Sequence, residues 1–248
     1  MTDELRYLSQ QVARQRLDRR SFLGRAGALG VTAATANTLL SSAVMAQGAI
    51  KGGTLKVAVE GGSSSDSLDP ALVTNSTGTI VNRLWGEPLV ELDPEGGLDM
   101  RLASEMSATP DAKTWTFDLR KGVEFHNGKT MTAEDVIFSI NHHRGEDSKS
   151  AAKGIVDQIK DIKADGKHRV IFELSGGNAD FPFIASDYHL TIQPSETGKE
   201  DWIKGIGTGA YMQTKFEPGV VSMGKRNPNY HKPNRGHFDS VEMIVIQD

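Results

Sequence analysis

Between Trp115 and Ile140 the hydrophobic period of the chain changes from two to about 3.6, and few arrangements accommodate that switch. Trp115, Phe117 and Leu119 alternate with Thr114, Thr116 and Asp118, the pattern of a strand with one buried face. Arg120-Lys121-Gly122 breaks the run, and Val123 and Phe125 resume it, so a strand pair is predicted. Asn127-Gly128 is a strong turn dipeptide. Thr132 and Asp135 then stand at capping-box spacing, with an acid shorter than the usual Glu. A helix is predicted from there, because Ala133, Val136, Ile137 and Ile140 fall on one stripe.

Other elements are plainer. Leu55, Val57 and Val59 alternate with Lys56, Ala58 and Glu60, giving a first core strand that runs into the loop Gly61 to Asp66. Leu68-Asp69-Pro70 forbids regular structure, and Thr79 to Trp85 reads as a short helix. Asp165-Gly166 marks a hairpin joining Ile159 and Ile162 to Val170, Phe172 and Leu174. Val241 to Ile246 is apolar on both faces, which predicts a central strand covered by helices on both sides. Because the chain stops at Asp248, directly after that strand, truncation of a longer protein is expected.

The first 46 residues read as an export address. Arg19 and Arg20 precede Phe22 and Leu23, a twin-arginine signature. Ala26 to Leu40 is uncharged and too short to span a bilayer comfortably. Val44-Met45-Ala46 offers small residues to a signal peptidase, so cleavage is expected after Ala46, by way of the twin-arginine translocase.

Composition narrows the function. With 38% hydrophobic and 24% charged residues the chain can bury a sizeable core. Six of its 28 basic and three of its 32 acidic residues fall in the address, leaving 22 against 29 downstream. That acidic balance excludes nucleic acid or an anionic membrane as main partner. Cysteine is absent, which removes disulfides, thiolate metal sites, a cysteine nucleophile and a lipid-anchored cysteine.

An ordered series of short motifs carries a resemblance. It comprises Leu68-Asp69-Pro70, Glu87-Pro88-Leu89-Val90, Leu102-Ala103-Ser104-Glu105, the stretch Thr114 to Gly128, Thr132 to Val136, Gly207-Thr208-Gly209-Ala210-Tyr211 and Arg226-Asn227-Pro228-Asn229-Tyr230. Over residues 50 to 248 the chain resembles the extracellular solute-binding proteins of family 5, the peptide, dipeptide and nickel binders of ABC importers. Met100, Ala210 and His231 depart from the residues common at those positions. The resemblance implies an α/β clamshell of the periplasmic-binding-protein type II class, without its second lobe. It divides the chain into an address (1–46), a first part of lobe I (47–85), an inserted subdomain (86–205) and a continuation of lobe I (206–248). It also implies a periplasmic protein that captures an oligopeptide or similar small solute and hands it to ABC importer permease subunits. No cofactor, metal or catalysis is implied. By the same analogy Ser63, Ser64, Thr74 and Asn75 face the ligand.

Rival readings are weaker. Gly205-Ile206-Gly207-Thr208-Gly209 lacks the spacing of a dinucleotide loop and fits a crossing back into lobe I. His142 and His143 point about 100° apart on a helix and lack supporting carboxylates at ligand spacing. Glu134 and Asp135 near His126 fit a helix N-terminus better than acid-base machinery. An exported hydrolase would need G-x-S-x-G, H-E-x-x-H or a cysteine, and none occurs. A truncated, non-binding product of such a gene is the strongest alternative to a working receptor.

Replacing Arg19 and Arg20 together with Lys is expected to keep the mature protein out of the periplasm, as read by cell fractionation. Undiminished periplasmic protein would show that another signal exports it.

Overall fold

The computed structural model describes residues 3–13, 16–46, 51–195 and 199–246. They fall into two compact units, Met1–Lys51 and Gly52–Asp248. In the first, α1 (Asp3–Ala13), α2 (Arg19–Ala28) and α3 (Ala33–Ala46) pack around Leu5, Leu8, Phe22, Ala26, Ala36 and Leu40. The Asp18 carboxylate caps α2, accepting the Ser21 amide at 2.9 Å and its hydroxyl at 2.8 Å. This leaves Arg19 and Arg20 exposed on the first turn, with Phe22 buried and Leu23 half-buried. No described helix is long and apolar enough to cross a membrane. The expected processing point adjoins residues 47–50, which lie outside the described residues.

The second unit opens with β1 (Thr54–Glu60), a short 3-10 turn at Pro70–Leu72 and α4 (Ser76–Trp85). The helix begins three residues before the predicted Thr79, because Asn75 caps it by accepting the Gly78 amide at 2.7 Å. A small hairpin, β2 (Val90–Leu92) and β3 (Leu98–Met100), follows. Next come β4 (Ala103–Ala108), β5 (Thr114–Leu119), α5 (Ala133–His142), α6 (Lys153–Val156), β6 (Ile159–Ala164), β7 (Arg169–Leu174) and α7 (Phe181–Ile184). Their four strands make an antiparallel sheet in the order β4-β5-β7-β6, with the expected hairpin between β6 and β7. Phe117, fully buried, meets Phe172 edge to face at 5.5 Å and Phe181 at 6.3 Å.

Val123 and Phe125 are buried but do not form the predicted strand pair. Both edges of β5 are already taken by β4 and β7, so the segment folds on itself instead. One bridge, Glu124 to Thr130, closes it around the Asn127-Gly128 turn. The capping box of α5 is present: Asp135 accepts the Thr132 amide at 2.8 Å and its hydroxyl at 3.0 Å.

The chain then returns through β8 (Tyr211–Glu217), β9 (Val221–Arg226) and β10 (Ser240–Ile246) to a second sheet, ordered β1-β10-β9-β8. Here β10 lies parallel to β1, Thr54 opposite Ser240 and Glu60 opposite Ile246. It is central, as predicted, but among the described residues only one face is covered. Val241 and Met243 are buried against Val59, Leu68, Val81, Trp85 and Tyr211, whereas Ile244 and Ile246 are 43% and 48% exposed. The Gly205 to Gly209 segment is a close-packed crossing. A Cβ at Gly207 would lie 2.3 Å from the Trp85 carbonyl oxygen, and one at Gly209 would lie 2.6 Å from that of Leu84. Only glycine fits either position.

Phe117→Ala should lower stability by about 3 to 5 kcal/mol, since it removes a fully buried ring from a three-ring cluster. An unchanged denaturant midpoint would mean that the ring is not the keystone of the β4-to-β7 sheet.

Candidate functional site

The residues proposed to face a ligand lie where β1 ends. The Glu60 carbonyl accepts the Thr77 hydroxyl at 2.7 Å and the Ser76 hydroxyl at 3.2 Å, which seats the first turn of α4 on the C-terminal end of β1. Asp66 then fastens two loops together. One of its oxygens accepts the Ser63 amide at 3.0 Å, and the other accepts the Asn75 side-chain amide at 2.6 Å. Ser63 donates to or accepts from Ser65 at 3.0 Å. The turn between β8 and β9 backs this loop so closely that a Cβ at Gly219 would fall 2.7 Å from the Ser63 carbonyl carbon.

The four residues therefore share one end of the sheet but differ in what they can offer. Ser64 and Thr74 are exposed, and Ser63 is half-buried. The Asn75 amide has both ends engaged within the fold, its oxygen as the α4 cap and its nitrogen on Asp66. A cavity of about 550 Å³ is walled by Asp69, Leu72, His142, Arg144 and Trp202, and none of the four lines it.

Beside that cavity, His142 and His143 diverge as the helical spacing requires. The His142 ring stacks on Trp202 at 3.8 Å, and its Nε2 meets the Asp69 carboxylate at 2.8 Å. His143 is buried, with Nδ1 bonded to the Ser150 hydroxyl at 2.7 Å. Burial first, then the neighbouring His142 and His189, push its pKa down to about 3, so it is neutral. Burial alone would raise the Asp69 carboxyl, but the His142 bond and the Ala71 amide outweigh it and hold Asp69 below its ordinary value. No cluster of three metal-ligating side chains occurs among the described residues. His126 and Asp135 are likewise structural: His126 Nε2 meets the Gly209 carbonyl at 2.9 Å, and Asp135 accepts bonds from Thr132, Lys129 and Ser195.

Sequence reasoning missed a second charged centre. Glu87, 3% exposed, accepts the Tyr230 hydroxyl at 2.6 Å, His231 Nε2 at 2.7 Å and the Thr208 hydroxyl at 3.1 Å, with Arg101 at 3.8 Å. Arg101 in turn pairs with Glu91. Burial opposes ionisation of Glu87, yet the His231, Tyr230 and Arg101 contacts outweigh it and keep the carboxyl below its ordinary range. Burial and that carboxylate together push the Tyr230 phenol well up. The signal was present in the motifs, since Glu87, Thr208 and Tyr230 each belong to one of them. Nothing in the sequence said that they touch.

With this geometry in place, the comparison with known proteins is direct. The profile of the bacterial extracellular solute-binding proteins, family 5, middle region, matches residues 98–248, more than half of the chain. The chain belongs to this family. The periplasmic oligopeptide-binding protein OppA of Haemophilus influenzae is 36% identical over 218 residues, which cover 77% of this chain and 40% of that protein. Among solved structures, the agropinic-acid-bound binding protein AgaA from A. tumefaciens R10 superposes with a TM-score of 0.72 at 23% identity, over 78% of this chain and 40% of the other. The peptide-bound DppA of Helicobacter pylori superposes at 0.69 and 25% identity, over 79% and 43%. The fold is thus the α/β type II binding-protein fold. The chain spans only 22% to 40% of the length of curated relatives such as these.

Asn75→Ala should destabilise the protein by roughly 1 kcal/mol or more, because it removes a helix cap together with the bond to Asp66. Urea denaturation measures this, and a loss under a few tenths would free Asn75 for a purely ligand-facing role.

Proposed function

We propose that this chain is a periplasmic substrate-binding component of an ABC importer, capturing oligopeptides or similar small solutes and presenting them to permease subunits. In this reading it is not an enzyme and uses no cofactor. It reaches the periplasm through the twin-arginine translocase, and the exposed Arg19 and Arg20 at the start of α2 are compatible with recognition there. Family membership supports the general role, and the periplasmic oligopeptide-binding relative supports the solute class.

One observation carries the site. The Ser63-Ser64 loop, Thr74 and the first turn of α4 gather outside the C-terminal ends of the parallel pair β1 and β10. That is where open α/β sheets receive their ligands. Ser63, Ser64 and Thr74 would supply hydroxyl and backbone groups, and Asn75 would act by holding the loop.

In this reading the chain forms one wall of a cleft whose second wall comes from a further lobe. Binding to the chain alone is then weak, since an open wall leaves each hydrogen bond in competition with water, at roughly 0.5 to 1.5 kcal/mol apiece. A few such bonds barely offset the cost of association.

Titration with di- to pentapeptides, followed by calorimetry and backbone NMR, is expected to give dissociation constants of about 1 mM or weaker. The largest shifts should appear at Ser64 and Thr74, and Thr74→Ala should reduce them. Shifts confined to other surfaces would sink the wall assignment. Micromolar binding abolished by Thr74→Ala would make the chain a self-sufficient receptor.

A further inference from the structure

The segment leading to Thr74 is fastened at alternate residues. The Asp69 carboxylate meets His142 Nε2 at 2.8 Å, the Ala71 carbonyl accepts the Ala151 amide at 3.0 Å, and the Val73 carbonyl meets His189 Nε2 at 2.7 Å. Between these anchors Leu72 is 48% exposed, and Thr74, just beyond the last anchor, is exposed as well. The His189 fastening is therefore the one that sets where Thr74 begins.

His189 is 5% exposed, and both of its ring nitrogens face acceptors. Nε2 faces the Val73 carbonyl, and Nδ1 lies 2.6 Å from Asp187 Oδ1. A neutral imidazole carries one N–H, so it could satisfy only one of these and would press a lone pair against the other. The second proton must sit on Asp187 or on the ring. The same Asp187 oxygen also accepts the His189 backbone amide at 2.9 Å. Burial raises the Asp187 carboxyl, but these bonds to His189 outweigh it and leave it below its ordinary value, hence ionised.

The remaining surroundings agree. The Tyr188 ring lies against the imidazole at 4.0 Å. The charged or titratable groups nearby are Asp187 on its own segment, Asp69 on the fastened segment, and His142 and His143 at the end of α5. Asp187 is thus the carboxylate in contact with the ring, and His143 is neutral.

We propose that His189 is a doubly protonated imidazolium that positions the ligand-facing segment by holding the Val73 carbonyl against the Asp187 carboxylate. Its functional meaning rests on the reading of Thr74 as part of the cleft wall. Its chemistry does not. Asp187→Asn offers an amide nitrogen that can donate to Nδ1 of a neutral ring, giving up the bond from the His189 backbone amide, so the tie to Val73 survives while the need for a second proton disappears.

The test uses the full chain labelled with ¹⁵N at its seven histidines. Long-range proton–nitrogen spectra are recorded at about pH 7.5, where an unconstrained imidazole is mostly neutral. One ring is expected to show both nitrogens protonated. That signature should vanish in His189→Ala and become a neutral ring protonated at Nε2 in D187N. Hydrogen exchange at the Ala151 amide, which is held by the Ala71 carbonyl, and at the Gly78 amide, which is held by Asn75, should accelerate about tenfold or more in His189→Ala and stay within about twofold in D187N. A neutral His189 in the unmodified chain overturns the protonation state, and an imidazolium persisting in D187N overturns the role of the Asp187 carboxylate in demanding it. Unchanged exchange at Ala151 and Gly78 without the ring overturns the positioning role. Should His189→Ala fail to fold, the unmodified chain and D187N still decide the protonation state, and exchange at Ala151 and Gly78 in His189→Gln decides the positioning role, faster exchange supporting it and unchanged exchange overturning it. No ligand enters these measurements, so a failure of peptide binding would count against the cleft-wall reading and leave this result intact.

Discussion

The second unit depends on one buried carboxylate being fully served. Glu87 sits in the interior with donors from Thr208, Tyr230 and His231 and with Arg101 alongside, residues that lie far apart in the chain. A buried ion pair stripped of a partner costs several kcal/mol, because the remaining charge stays desolvated. Docking of the crossing segment and of the loop before β10 is therefore coupled: both must be in place for Glu87 to be tolerated. The neighbouring Gly207 and Gly209 impose the same condition sterically, through their close approach to Trp85 and Leu84.

Local structure was largely legible, and the reason is physical. The alternation in β5, the stripe on α5 and the capping box of Thr132 and Asp135 are written in residues two to four apart, where backbone geometry dictates who meets whom. The failures came where partners were set at long range. Val123 and Phe125 carry a strand pattern, but β5 had no free edge to offer them. The apolar run of β10 reads as covered on both faces, whereas its partners among the described residues cover one.

The candidate site divides along the same line. Ser63, Ser64, Thr74 and Asn75 were expected at a ligand surface from resemblance alone, and no periodicity pointed to them. Their place at the end of β1 comes from hydroxyl and carboxylate bonds by Thr77 and Asp66. The Asn75 amide is engaged in the fold, a role that the Asn before a helix start could have announced. Asp66 and His189 could not have been found this way. The first is one acid in a serine loop, and the second meets Val73 across 116 residues of chain.

The parallel pairing of β1 with β10 also sets an order of events for synthesis. Thr54 and Ser240 bond across 186 residues, so the sheet bearing the candidate wall cannot close until β10 has been synthesised. The strands β4 to β7 pair within a much shorter stretch and can assemble earlier. Closure of β1 on β10 is therefore the long-range step of this unit, and β1 has to stay without its parallel partner until that late contact forms.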